Sequence, residues 1–307
     1  MAPPIGYGAG MSDVAAPLLM LVDGHSVAFR AYYAIPDTVR FATGEPAHSF
    51  YGFLNILVRV VQDRAPTHLV VTFDLGEPFR TALFPAYKAS RSAGPEDLEP
   101  QVARLRTLLE LLGVPVFERD GFEADDLLAT LTRQGQARGC NVDVLSGDFD
   151  VLQLVAPGVR IVTPGKTFAE PVVYDAAAVV ARYGVPPTKL RDWKALVGDA
   201  SDEIPGVPGI GKKTATELLQ RYESLDAIYT HIDQITNTRA RNALADGRES
   251  AELSRLLVTL RSDAPVALDL EAARFPAFTP ETAQSAVREL GFQSLADRIA
   301  RLAAAIR

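Results

Sequence analysis

The 307 residues are 48% hydrophobic and 22% charged, a balance that supports a sizeable core in one large or two small domains and excludes extensive disorder. Thirty-one basic against 38 acidic residues give a net charge of −7, which taken alone argues against a nucleic-acid partner, since phosphate contact normally needs a basic surface. No apolar run approaches the ~20 residues needed to cross a bilayer, and the single cysteine, Cys140, excludes an internal disulfide and a thiolate zinc site, leaving it as core filler.

Residues 1–17 lack the basic start and apolar centre of a secretory signal and read as a flexible leader, with Met11 as an alternative start and the cytoplasm as the expected location. Leu18–Val22, His68–Phe73, Pro115–Phe117 and Asn141–Leu145 are short apolar or β-branched runs that predict strands. Helix-like segments, roughly Ser49–Arg64, Gln101–Leu112 and Ala124–Arg138, separate them. This alternation predicts an α/β core over residues 18–174, with a mostly parallel central sheet covered by helices on both faces. Arg80–Pro100, broken at Gly94-Pro95, is too long for an ordinary connection and is expected to project. Near Asp175 the pattern turns helical, and residues 175–307 read as a helical subdomain broken by the Gly206–Gly211 loop and a polar stretch at Asp233–Arg241.

Three predicted strands end in aspartate, at Asp23, Asp74 and Asp148. Ligands of an open parallel sheet sit beyond the carboxyl ends of its strands, so these three should face one crevice. Any one of them could be an ordinary helix cap. Further acids crowd the same region: Glu123, Asp125 and Asp126 open a helix, Asp150 lies two residues after Asp148, and Asp199 and Asp202 precede the Gly/Pro loop. Nine carboxylates in close quarters repel unless cations neutralise them, and hard divalent ions, magnesium or manganese, are their natural partners. Setting these nine aside leaves 29 acidic against 31 basic residues, so the acidic average no longer opposes a nucleic-acid substrate.

The segment GVPGIGKKTA has P-loop-like spacing, but Lys213 stands where Ser or Thr must hold magnesium and no strand precedes it, which argues against a nucleoside triphosphatase. A glycine turn running into a helix with Lys212 and Lys213 at its start instead suits a phosphate, although alone it would be an ordinary turn with solvated lysines. There is no GxSxG elbow or HExxH motif.

In combination, LVDGHSVAFRAYYA, VVTFDLGEPFR, YKASR, GFEADDLLATL, LSGDFDVLQL and LVGDASDEIPGVPGIGKKTA resemble the 5′-nuclease (flap endonuclease) family, and in particular the amino-terminal 5′→3′ exonuclease domains of bacterial DNA polymerase I. The resemblance implies a PIN-like α/β core and two metal clusters, Asp23, Asp74, Glu123, Asp125 and Asp126 for the first, Asp148, Asp150, Asp199 and Asp202 for the second. It also implies a helix-hairpin-helix-type DNA grip at Gly206, Gly209, Gly211, Lys212 and Lys213, often with a potassium ion. Residues near 80–100 would form a helical arch or clamp for a 5′ flap, with Arg30, Lys88 and Arg91 near the scissile phosphate. Two positions depart from the family pattern: Phe149 replaces a Lys or Arg, and Glu203 an Asn.

The activity so implied is two-metal-ion hydrolysis of DNA phosphodiesters at a flap, nick or primer end, in primer removal and repair, by a monomer working with a separate or fused DNA polymerase. Tyr87 and Arg91 would share a helical face with Lys88 beside it, the ring stacking on an unpaired base. The alternatives are a PIN-like RNA nuclease, which usually lacks the loop and the arch, and a non-enzymatic DNA-structure-binding module, which would not need all nine acids.

Overall fold

The computed structural model describes residues 16–91, 94–165 and 170–306. The leader read at residues 1–17 therefore lies almost wholly outside the described residues, as do Ser92 and Ala93 within the proposed arch. Six strands form one sheet: β1 (Leu18–Asp23), β2 (His68–Thr72), β3 (Val116–Phe117), β4 (Asn141–Leu145), β5 (Val159–Thr163) and β6 (Val172–Tyr174). Their order is β3-β2-β1-β4-β5-β6, all neighbours parallel except the β5/β6 pair. Sequence reading missed β5 and β6. β5 is five residues long and its apolar run is broken by Arg160, whose guanidinium pairs with Asp143 on β4.

β1 shows why the sheet sits between two cores. Met20 and Val22 point into one, Leu19 and Leu21 into the other, as a period-two strand buried on both faces requires. The first core is closed by α1 (Gly24–Ala34), α2 (His48–Arg64) and, beyond the short α3 (Phe79–Leu83), by α4 (Leu98–Leu111). The second is closed by α5 (Ala124–Ala137) and, past α6 (Ala176–Tyr183), by α7 (Leu190–Val197) and α8 (Lys212–Arg221). α9 (Leu225–Thr230), α10 (Thr238–Asp246) and α11 (Arg248–Val258) complete that helical side. The final pair, α12 (Pro280–Glu289) and α13 (Gln293–Ile306), returns to the first core, where Phe292 stacks 6.0 Å from Phe50.

α1 also escaped sequence reading. Its HSVAFRAYYA segment is rich in aromatic residues, but Val27, Ala28 and Ala31 all turn inward, and a hydrogen bond from the Ser26 N–H to Asp23 fixes its start. The chain leaves β1 for β2 on one side and β4 enters on the other, which makes the carboxyl end of β1 a topological switch point. None of the described helices is long and apolar enough to cross a membrane.

Candidate active site

At that switch point Asp23 ends β1, buried at 4% exposure, its second oxygen accepting the Ser146 hydroxyl proton at 2.7 Å. Asp74, just past β2, accepts the Ala124 N–H at 2.7 Å, which ties it to the first turn of α5. Its own N–H donates to His25 Nδ1 at 2.9 Å. Asp148 follows β4, and its Oδ1 turns back to accept the Asp150 N–H. These three, with Glu123 and Asp125 at the head of α5, line one cleft of about 910 Å³. Arg30, Lys88 and Arg91 line the same cleft.

Burial and like charge together govern Asp23 and Asp125. Burial, and then Asp74, push the Asp23 carboxyl up to about 7. Burial raises Asp125 well above the usual carboxylate range, reinforced by Asp148, Asp23, Asp150 and Glu123. Asp74 moves the other way: partial desolvation opposes its charge, but His25 and the Ala124 N–H outweigh it and hold the charged form. Among the described residues no three His, Cys, Asp or Glu side chains already form a closed metal cage. The donor set is nonetheless all oxygen, and crowded carboxylates whose charge is costly gain most from a cation, so the residues fit a hard divalent ion.

The structure divides the nine acids more finely than spacing could. Asp126 does not face the cleft. It is wholly buried, accepts a two-pronged bond from Arg80 at 2.7 and 2.8 Å, and closes a capping box with Glu123. Asp150 and Asp199 share the ammonium of Lys194, at 2.9 Å for Asp199. Burial, then Asp148, still hold the Asp150 carboxyl up at about 6, although Lys194 draws it down. Asp202 is paired with Arg91 and lies 3.7 Å from the Lys88 ammonium, which also contacts Glu123. Burial opposes the Lys88 charge, but Glu123, Tyr87 and Asp202 outweigh it and the net shift is upward. Arg30 donates to the Gly165 carbonyl at 3.0 Å.

The expected helical face of Tyr87, Lys88 and Arg91 is not formed. α3 ends at Leu83, residues 85–90 are turns, and Lys88 takes a left-handed φ of 54°. Tyr87 is 6% exposed and donates its hydroxyl proton to Glu123 at 3.0 Å, so its ring is not offered to a base. Nor does the segment's described base stand away from the body. Arg80 is 1% exposed, the Lys88 N–H bonds the Asp202 carbonyl at 3.2 Å, and Ser90 bonds Glu203. Burying the pairs that Arg80, Tyr87 and Lys88 make with the α5 acids outcompetes a solvated helix here. Glu203 itself has φ 55°, a conformation that Asn adopts more easily.

The Gly/Pro loop is a hairpin pinned at its N-terminal end. Asp199 and Ile204 exchange backbone bonds of 2.9 Å, and Gly206 accepts from Ser250 and donates to Ser254 on α11. Gly206, at φ 63°, admits no side chain, since a Cβ would lie 2.4 Å from the Gly198 nitrogen. Gly209 lies within the loop, and Gly211 caps α8, which sets Lys212 and Lys213 out in solvent.

Several site residues went unread in the sequence. Phe29 and Tyr33, 46% and 68% exposed and one helical turn apart on α1, line the cleft as an edge-to-face pair at 5.0 Å. The signal was there in two large aromatics at i and i+4 beside Arg30, visible once α1 is recognised. Arg80 gave no local signal, because the acids it neutralises are distant in sequence, and Lys194 likewise meets Asp150 from 44 residues away.

An acidic cleft also lined by cations at the switch point of a parallel sheet is a site class suited to divalent metal and phosphate chemistry. Comparison with known proteins makes the assignment specific. The model of the 5′-3′ exonuclease N-terminal resolvase-like domain matches residues 18–184, and that of the 5′-3′ exonuclease C-terminal SAM fold matches 185–281. The chain belongs to the 5′-3′ exonuclease family. DNA polymerase I of Chloroflexus aurantiacus is 40% identical over 300 residues, covering 96% of this chain and 32% of that protein. DNA polymerase I of Bacillus subtilis is 34% identical over 282 residues, with coverages of 92% and 32%. The chain thus spans about a third of the length of the curated relatives it matches. In fold it is similar to the T5 5′-exonuclease with divalent metal ions (zinc) bound, at 22% identity and TM-score 0.62, covering 94% of this chain and 99% of that one. It is also similar to the catalytic core of Rad2 in complex with DNA substrate, at 18% identity and TM-score 0.59, with coverages of 95% and 93%.

Proposed function

We propose that the cleft hydrolyses DNA phosphodiesters at 5′ flaps, nicks or primer ends with magnesium or manganese, in primer removal and repair. The carrying observation is that Asp23, Asp74, Glu123, Asp125 and Asp148 line one cleft together with Lys88, Arg91 and Arg30. Asp23, Asp74, Asp125 and Asp148 would hold divalent metal, with Glu123 at its border, and Asp150, Asp199 and Asp202 would complete a second group once Lys194 and Arg91 yield them. Bound there, such metal would lower the pKa of a water and stabilise the leaving 3′-oxygen. Asp126 holds Arg80 and orients Glu123. Lys88 and Arg91 are placed to leave their carboxylates for the non-bridging oxygens of the scissile phosphate, where their charge counts most as negative charge builds. Arg30 approaches from α1, and Phe29 and Tyr33 offer ring faces to an unpaired base in place of the buried Tyr87.

The hairpin with Lys212 and Lys213 would grip the adjoining duplex through its backbone, with a potassium ion bound at the loop. A DNA polymerase, fused or separate, is the working partner this reading implies, and a bacterial cytoplasm the setting, with the nuclease acting as a monomer. The test is a double-flap DNA labelled at the 5′ end and incubated with the protein in magnesium or in a chelator. Cleavage near the flap junction only with metal, leaving a 5′-phosphate on the downstream strand, is expected. Intact flaps, or cleavage of RNA alone, would contradict the reading.

A further inference from the structure

The strip between the acids and the duplex hairpin holds an arrangement that the cleft chemistry does not use. Phe149 sits between Asp148 and Asp150, half-buried, with its edge on Tyr174 at 5.8 Å between ring centres. Over its face lies the guanidinium of Arg182, from the last turn of α6, 3.9 Å from the ring centre. Arg182 is exposed, and the groups that perturb it are the tyrosines 174 and 183 rather than any carboxylate. An arginine stacked in this way, with tyrosines rather than carboxylates beside it, is held without being neutralised and keeps its full positive charge for an anion.

The same guanidinium also lines a second concavity of about 550 Å³, together with Lys212, Lys213, Trp193, Thr216 and Glu217. The wall between them is rigid. Tyr183 packs edge-on against Trp193 at 5.1 Å, the Trp193 indole donates to the Thr216 hydroxyl at 2.9 Å, and that hydroxyl donates to the Tyr183 carbonyl at 3.0 Å. The charges facing the groove are three cations and one acid, Glu217, which is 3.9 Å from Lys213 on the solvent side.

We propose that Arg182, seated on Phe149, binds a backbone phosphate of the duplex between the hairpin contact and the acidic cleft, and so sets the register of the duplex on the metal site. This rests on the nuclease reading above and adds to it a specific positioning residue. One ring thereby joins two sites: Phe149 follows Asp148 of the cleft directly and carries on its face the cation of the groove.

The test compares salt dependence of flap-DNA binding for wild type, Arg182→Ala, Phe149→Ala and the double variant, with manganese affinity measured on each protein. Arg182→Ala should flatten the logarithmic salt slope by about 0.9, one phosphate's worth, on duplex-containing flaps and leave single-stranded binding unchanged. Phe149→Ala should cause most of the same loss by unseating the guanidinium, and should add nothing to Arg182→Ala, which is the coupling expected of a stacked pair. Manganese affinity of Arg182→Ala should equal that of wild type. A wild-type slope in Arg182→Ala, or a fall in its manganese affinity, would overturn the proposal. A wild-type protein that bound flap DNA but never cut it would instead remove the nuclease reading and leave the phosphate-binding role standing.

Discussion

Lys88 and Asp23 show how single residues prepare this cleft. Lys88 has left-handed backbone and an ammonium between Glu123 and Asp202, so its charge is already inside the site before any phosphate arrives. Lys88→Ala should lower the saturating single-turnover cleavage rate on the order of 10²-fold while flap affinity changes only a few-fold, because the charge matters most in the transition state. Rates and dissociation constants measured on the same flap decide it, and a rate within a few-fold of wild type would return Lys88 to a structural pairing role. Asp23 gives a pH dependence whose sign is fixed. With its carboxyl pushed up to about 7 by burial and Asp74, protons compete with metal below that pH. Magnesium affinity, read by calorimetry, should therefore rise as pH climbs from about 5.5 towards 7 and level off above it. An affinity independent of pH across that window would place the metal elsewhere.

Among elements, Arg80 is a junction. From α3 it donates to the carbonyls of Leu257 and Thr259 at the end of α11, at 2.7 and 2.9 Å, while its other prongs hold Glu123 and Asp126 on α5. One buried guanidinium thus ties the short α3, the acidic helix and the helical half of the chain. Arg80→Met strands Asp126 as a buried charge and should cost about 3–5 kcal/mol in urea unfolding, as loss of one partner of a buried pair does. A loss under ~1 kcal/mol would mean that the junction is not shared among the three elements. α8 acts more simply, presenting Lys212 and Lys213 to solvent beyond a rigid hairpin. Lys212→Glu combined with Lys213→Glu should weaken binding uniformly across sequences and reduce the salt slope by about 0.9 for each phosphate no longer neutralised. An unchanged slope would make GVPGIGKK an ordinary turn.

At the scale of the whole molecule, the parts legible in the sequence were those set by local pattern. Asn141–Leu145 appears as β4 with the bounds expected, and the apolar periods of α2, α4 and α5 placed those helices within three residues. The convergence of Asp23, Asp74 and Asp148 on one crevice followed from strand ends alone. What stayed hidden depended on partners far along the chain. Asp126 is drawn from the cleft by an arginine 46 residues earlier, Asp150 is held by Lys194 from 44 residues away, and Tyr87 is turned inward by Glu123. Charge pairs of this kind have no periodicity and therefore no signature in a single sequence.

The account rests on the acids of this cleft carrying the chemistry and not the binding. Its most direct test sets wild type beside Asp23→Asn on one double-flap DNA in magnesium, recording dissociation constant, single-turnover rate and the mapped cut for each. Asp23→Asn keeps the shape of the side chain and one of its two acceptor oxygens but removes one negative charge from the crowd. Asp23→Asn should bind the flap as wild type does and make no detectable cut near the junction. Near-wild-type turnover by Asp23→Asn would contradict the account.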